Sequence, residues 1–310
     1  MSIAFVFPGQ GAQAVGMGRD LYENSTAARL AFQAIDAGCG FSISSLCFEG
    51  PEEVLKETRN TQPALFAVSV AALAACADEG ILPQAVAGHS IGEYAALVAA
   101  GAFDPATGAG LVAERGLAMA EAAAAAPGTM AAVLGLDPAT IAEACTMVNH
   151  VGVVVPANLN APGQVVISGE VSAVAEVSVL LKEKGAKRVL PLAVSGAFHS
   201  PLMAPAVDRM AQALDKAAIH DLRLPVVANV TADYERTSDE VRANLIAQVA
   251  GPVRWVETIQ RLTQDGYTTF IECGSGSVLA GLIKRIAPDA VTYSVGDMAS
   301  LHAAKEALGI

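Results

Sequence analysis

An α/β protein with a mostly parallel sheet, carrying a smaller ferredoxin-like βαββαβ unit as an insertion, is the architecture this sequence predicts, on three observations. Strand-length apolar runs alternate with helix-length periodic segments over most of the 310 residues, the pattern of a parallel sheet covered on both faces. Between residues 127 and 193 the order becomes strand, helix, strand, strand, helix, strand. The chain is also 53% hydrophobic and 16% charged, so most of it must be packed. The expected large domain takes residues 1–126 and 194–310, and the small domain residues 127–193.

In order, Ile3–Phe7 reads as a buried strand stopped by Pro8-Gly9-Gln10-Gly11. The Gly9-x-Gly11-x-x-Ala14 spacing imitates a dinucleotide fingerprint. That fingerprint wants a second strand ending in an acidic residue, whereas Ala27–Ile35 before Asp36 has helical spacing. Pro51–Thr58 and Thr61–Glu79 read as helices, the second capped by Thr61. Its apolar run Ala64–Ala77 is too short to span a bilayer. Ala85–Ala87 ends a strand, Tyr94–Ala100 is helical, and Asp104 caps a helix that starts at Pro105 and runs towards Ala126.

In the small domain the strands are Met130–Leu134, Val151–Asn158, Gln164–Ser168 and Lys187–Leu190, with helices Pro138–Val148 and Ser172–Lys184. The large-domain rhythm then resumes: helix Pro201–Ala218, strand Pro225–Val230, helices Asp239–Val249 and Val253–Gln264, and strand Thr268–Glu272. Helix Val278–Ile286, strand Val291–Ser294 and a terminal helix from Ser300 complete it.

A net charge of −12 argues against nucleic acid or an anionic membrane as partner, and an acidic protein partner would need a local basic patch. The five cysteines form no C-x-x-C pair and leave an odd count, against a disulfide framework or a zinc site. No basic segment precedes Ile3–Phe7 as in a secretory signal, so a cytoplasmic protein is expected.

The chemistry centres on Gly88-His89-Ser90-Ile91-Gly92-Glu93, a G-x-S-x-G pentapeptide between a strand and a helix. Such an elbow exposes the Ser90 hydroxyl on a sharp turn and makes the large domain α/β-hydrolase-like. The Ile91 amide at the helix start can stabilise an oxyanion, and Glu93 in the first turn suits the helix dipole. The same pentapeptide can be a tight turn chosen for geometry alone. A serine nucleophile needs a base. Of five histidines, His150, His220 and His302 lie in polar or terminal segments, and the His89 side chain leaves the turn on the other side. His199, in a small, apolar loop before Pro201, is the best base available. Arg115, among apolar helix residues, is either a solvated face residue or a buried anion receptor.

Phe7-Pro8-Gly9-Gln10-Gly11, Thr61-Gln62-Pro63-Ala64-Leu65, the Ser90 elbow, Arg115-Gly116 followed by Met119, Asn158 and Asn160 before Pro162-Gly163-Gln164, and Phe198-His199-Ser200-Pro201 occur in that order. Together they resemble the malonyl-CoA:acyl carrier protein transacylases of type II fatty acid synthesis over nearly the whole chain. The resemblance implies ping-pong transfer of malonyl through Ser90, with His199 moving the proton and no cofactor. It implies an oxyanion hole from the Gln10 and Ile91 amides, Gln248 orienting His199 through its backbone carbonyl, and Arg115 holding the malonyl carboxylate. Gln62, Met119, Asn158 and Phe198 become pocket candidates, and Phe198 matches the malonyl-selective members. The substrates implied are malonyl-CoA and phosphopantetheinylated acyl carrier protein, with no nucleic acid or membrane partner and a monomeric enzyme. Lys182, Lys184, Lys187, Arg188, Lys284 and Arg285 are the basic candidates for carrier docking. Ala12 and Ser275 depart from the family pattern, which has Ser and Pro there. A polyketide synthase acyltransferase would share all these residues, and a serine hydrolase would share the elbow.

Overall fold

Five successive apolar residues, buried on both faces, make Ile3–Phe7 (β1) the centre of a parallel sheet in the computed structural model, which describes residues 2–310. The elements that follow are α1 (Arg19–Asn24), α2 (Thr26–Cys39), α3 (Ile43–Glu49), α4 (Glu52–Leu55), α5 (Thr58–Asp78), β2 (Ala85–Gly88), α6 (Gly92–Ala100) and α7 (Pro105–Ala125). Next come β3 (Gly128–Leu134), α8 (Pro138–Met147), β4 (Val154–Ala161), β5 (Gln164–Glu170), α9 (Val171–Glu183) and β6 (Arg188–Pro191). A 3-10 turn at Pro201–Met203 leads into α10 (Ala204–Lys216), β7 (Val226–Val227), β8 (Tyr234–Glu235), α11 (Ser238–Gln248), α12 (Trp255–Gln264), β9 (Thr269–Cys273), α13 (Val278–Ile286), β10 (Val291–Val295) and α14 (Met298–Leu308).

Among the described residues the larger sheet has the order β10-β9-β1-β2-β7-β8, parallel except for the β7–β8 hairpin. The smaller sheet, β4-β5-β3-β6, is antiparallel throughout. Its own core, with Val133, Ile141, Val165 and Val177, lies under α8 and α9. The mostly parallel α/β sheet with a ferredoxin-like unit is thus the fold observed.

Several sequence expectations need correction. Helix α5 starts at Thr58, not Thr61: the Asn60 and Thr61 amides already bond Glu57 O, and Thr61 Oγ1 donates to Leu55 O at 2.6 Å. The helix expected at Pro51–Thr58 shrinks to Glu52–Leu55. At 21 residues α5 is long and apolar enough to cross a membrane, which the Ala64–Ala77 run alone did not suggest; yet 78% of its apolar window is buried inside the protein. In the small sheet β4 begins at Val154, three residues late, because Val148–Val151 closes a turn. The strand expected at Pro225–Val230 ends at Val227, and the chain turns back into β8, which the sequence did not announce. The peptide groups after Val227 are needed elsewhere, as the site shows.

Candidate active site

Ser90 sits between β2 and α6 with φ +52°, a left-handed conformation that costs about 1–3 kcal/mol in a residue with a side chain. The turn is tight enough to require both its glycines. A Cβ on Gly88 would lie 2.0 Å from the Gly92 carbonyl, and one on Gly92 would lie 2.1 Å from Phe7 O. Asn229, just beyond β7, holds the strained turn: Oδ1 accepts from the Ser90 amide at 2.7 Å, and Nδ2 donates to Gly88 O at 2.6 Å. Sequence reasoning missed Asn229, whose only sign was a polar residue at the end of an apolar strand pattern. Among the described residues, neither the Ile91 nor the Gln10 amide has an acceptor.

His199, also left-handed (φ +56°), lies on the loop between β6 and α10. Its Nε2 is 2.7 Å from Ser90 Oγ, and its Nδ1 is 3.0 Å from both Gln248 O and Gly251 O. Two carbonyls can only accept, so Nδ1 carries the proton and Nε2 faces the serine as an acceptor. Burial first, then the Arg115 and His89 charges, push the His199 pKa down to about 3, which keeps the ring neutral. The neighbour expected from a hydrolase triad, a carboxylate on Nδ1, is replaced by these carbonyls. Gly251 is a second orienter that the sequence did not reveal.

Arg115 is fully buried on α7, with Nη1 donating to Gln62 Oε1 at 2.7 Å and Nη2 to Gln248 Oε1 at 2.9 Å and to Ser90 Oγ at 3.3 Å. Its Nε has no partner, and its guanidinium carbon lies 5.8 Å from the Tyr94 ring centroid. Of the two readings left open for Arg115, the solvated one is excluded. Gln62 Nε2 turns to Gln10 Oε1 at 3.3 Å and to Met119 Sδ at 3.5 Å. Gln248 is 0% exposed, and Nε2 donates to Ser90 O at 2.9 Å and to Glu93 Oε2 at 2.7 Å.

Glu93 is more than a helix-dipole residue. It is 0% exposed, Oε2 also accepts from the Asn229 amide at 3.1 Å, and burial raises its pKa to about 7. Glu235, 1% exposed on β8, is raised to about 8, first by burial and next by Glu93. These contacts explain why the strand after β2 stops at Val227: the Asn229 main chain serves Glu93 instead of a ladder.

A cleft of about 140 Å³ opens onto Ser90 and His199, lined also by Gln10, Met119, Asn158 and Phe198. All ten site candidates therefore converge, from β1's loop, α5, α6, α7, β4, the α10 approach and α11. His89 does leave Ser90, as expected, yet it also lines the cleft, with Nε2 2.8 Å from Asn160 Oδ1 and its ring edge-on to Trp255. The Gly9–Ala14 stretch opens no helix, since α1 begins only at Arg19, so it lacks the helix N-terminus on which a pyrophosphate would sit. Among the described residues no group of three His, Cys, Asp or Glu could hold a metal ion. Of the basic candidates, Lys182, Lys187, Arg188 and Lys284 are exposed, Lys184 approaches Glu143 at 3.6 Å, and Arg285 donates to Pro162 O at 2.8 Å.

Known proteins match this chain along nearly its full length. Residues 4–306 match the model of the acyl transferase domain. A malonyl CoA-acyl carrier protein transacylase of Bacillus subtilis (strain 168) is 45% identical over 307 residues, 99% of this chain and 97% of that protein. One from Escherichia coli (strain K12) is 41% identical over 304 residues, 98% of each. A malonyl CoA-acyl carrier protein transacylase structure from Coxiella burnetii superposes with TM-score 0.95 at 40% identity, covering 99% of this chain and 97% of that one. A type II polyketide synthase acyl-carrier protein in complex with its malonyl-transacylase contains a chain matching with TM-score 0.95 at 41% identity, covering 99% and 100%.

Proposed function

We infer that this chain, which belongs to the acyl transferase domain family and within it to the malonyl CoA-acyl carrier protein transacylases, moves malonyl from malonyl-CoA to the phosphopantetheine thiol of an acyl carrier protein. The chemistry uses side chains and main-chain amides of this chain, with no cofactor. The observation that carries the site assignment is a buried, incompletely partnered guanidinium 3.3 Å from a serine hydroxyl that is itself 2.7 Å from a neutral imidazole.

In the proposed first half-reaction, Ser90 Oγ attacks the thioester carbonyl while its proton passes to His199 Nε2. The resulting imidazolium is held through Nδ1–H by Gln248 O and Gly251 O. The carbonyl oxygen, now an anion, meets the free Gln10 and Ile91 amides. Collapse breaks the carbon–sulfur bond, and CoA leaves as a thiol with the proton from His199. The carrier thiol then reverses the sequence, losing its proton to His199 Nε2, and Ser90 recovers its own. Arg115 pairs with the malonyl carboxylate, and that pairing screens the positive charge that depresses His199, making the base stronger once substrate is bound. Gln62, Met119, Asn158 and Phe198 shape the acyl pocket.

Five free cysteines, four of them buried, suit the reducing cytoplasm. Lys182, Lys187, Arg188 and Lys284 offer positive charge to an acidic carrier on a monomeric enzyme. The polyketide carrier bound to one structural relative supports a second reading, in which the physiological carrier serves a polyketide synthase. Intact mass after brief mixing with malonyl-CoA tests the core claim. A malonyl adduct absent from Ser90→Ala and transferred to added carrier protein supports it; an adduct cleared only by water refutes it.

A further inference from the structure

The Gln248 side chain has two ends that resemble each other in shape and differ in chemistry, and its neighbours tell them apart. Oε1 accepts from Arg115 Nη2 at 2.9 Å, while Nε2 donates to Ser90 O at 2.9 Å and to Glu93 Oε2 at 2.7 Å. Turned end for end, the amide would set its NH2 against the guanidinium and its carbonyl against the Glu93 carboxyl, donor on donor and acceptor on acceptor. Glu93 is the fixed point of this arrangement. It is 0% exposed in the first turn of α6, and Oε2 also accepts from the Asn229 amide at 3.1 Å. The other buried residues of that helix are Gly92, Tyr94, Ala95, Ala96, Leu97 and Ala100, so packing alone would be met by an apolar residue without the cost of burying a carboxyl.

We propose that Glu93 is a positioning residue for malonyl selection: by accepting from Gln248 Nε2, it fixes the orientation in which Gln248 Oε1 holds the Arg115 guanidinium beside the Ser90 hydroxyl. This rests on the reading of Arg115 as receptor of the malonyl carboxylate. Burial brings the Glu93 carboxyl to a pKa of about 7, and Oε2 keeps a lone pair for Gln248 in either protonation state. An acetyl group has no carboxylate for Arg115. Misorienting Gln248 therefore weakens malonyl transfer selectively, whereas mere loosening of the fold weakens both acyl groups alike.

The test compares Ser90 acylation by malonyl-CoA and acetyl-CoA, followed by intact mass, in the starting protein, Glu93→Gln, Glu93→Asp, Glu93→Met and Arg115→Ala. The Gln variant keeps an acceptor of the same reach, Asp draws it back by one methylene, and Met keeps volume without an acceptor. The Gln variant is expected to hold the malonyl-to-acetyl ratio within about threefold, while Asp and Met lower it about tenfold or more through malonyl KM, as loss of a charge-assisted hydrogen-bond chain would. If Met fails to fold by circular dichroism, Asp carries the comparison. Ratios unchanged in Asp and Met, an equal loss of both acyl groups, or a Gln variant as impaired as Met each overturn the proposal. Arg115→Ala separates the two claims. If it keeps the ratio, the receptor reading falls and this proposal with it; if it loses the ratio while the Glu93 variants keep it, this proposal alone falls.

Discussion

On one side of the Ser90 cleft, Gln62, Glu93, Arg115 and Gln248 are fully buried polar side chains joined by hydrogen bonds of 2.7–2.9 Å; on the other, Met130, Val166 and Leu192 present apolar surface from or beside the small antiparallel sheet. The first wall is built on directional bonds, each partner of which is costly to orphan. The second rests on area and volume, which tolerate change at a modest cost. The proposed reaction and recognition of charge therefore fall to the parallel sheet's side, and the proposed fit to the other.

The sharpest way to break the contrast is at the base. His199→Ala is expected to lower the malonyl adduct rate by about 10²–10⁴-fold in a rapid-quench measurement, the range of general base catalysis. A smaller loss would move proton transfer off His199. Next in size is Arg115→Ala, where losing charge-assisted bonds worth about 1.5–3 kcal/mol each should cost malonyl-CoA ten- to a hundredfold or more and leave acetyl-CoA relatively favoured. Equal losses for both would remove Arg115 from recognition.

Asn229→Ala tests whether the turn needs its brace. With both side-chain bonds gone, Ser90 would relax from φ +52°, with about 1–3 kcal/mol lost in denaturant unfolding and kcat falling more than KM rises. Smallest is the apolar side: Phe198→Ala should admit methylmalonyl-CoA, with a loss of about 1–3 kcal/mol in discrimination against it, read from competing adduct masses.

The polar wall also carries a pH signature that the apolar one lacks. Glu93 and Glu235 have folded-state pKa values raised by burial above the ordinary 4.5, so the folded state binds more protons. Their contribution is fully present below that ordinary value and is lost as pH rises through about 7 to 8. Melting temperature should thus fall between about pH 4.5 and 8, and Glu235→Gln should flatten the fall. His199 acts in the opposite sense: its depressed pKa gives stability present above 6.5 that is lost as pH falls towards 3.

How far the site could be read from the sequence follows from how local each signal is. The elbow was legible because a turn that sharp admits only glycine at Gly88 and Gly92, and spacing records that need. Asp104 was legible as a cap because its Oδ1 bonds the Thr107 amide, three residues on, at 2.7 Å. Asn229 and Gly251 were not, since nothing near them in the chain announces partners that lie 139 and 52 residues away. Glu93 was read only as a first-turn carboxylate that suits the helix dipole, because its partners Gln248 and Asn229 lie 155 and 136 residues away.

By itself the sequence determined the alternation of strands and helices, the inserted antiparallel unit, the elbow at Ser90 and His199 as the histidine proposed for its base, all of which depend on periodicity, turn chemistry or a short inventory of histidines. The tertiary structure alone decided that Arg115 is buried rather than solvated, that Gly251 O joins the expected Gln248 O on His199 Nδ1, and that Glu93, Gln248 and Asn229 form one hydrogen-bonded unit around the serine. Those outcomes depend on which strand ends and helix ends meet above the sheet, and a long-range meeting leaves no period in the chain.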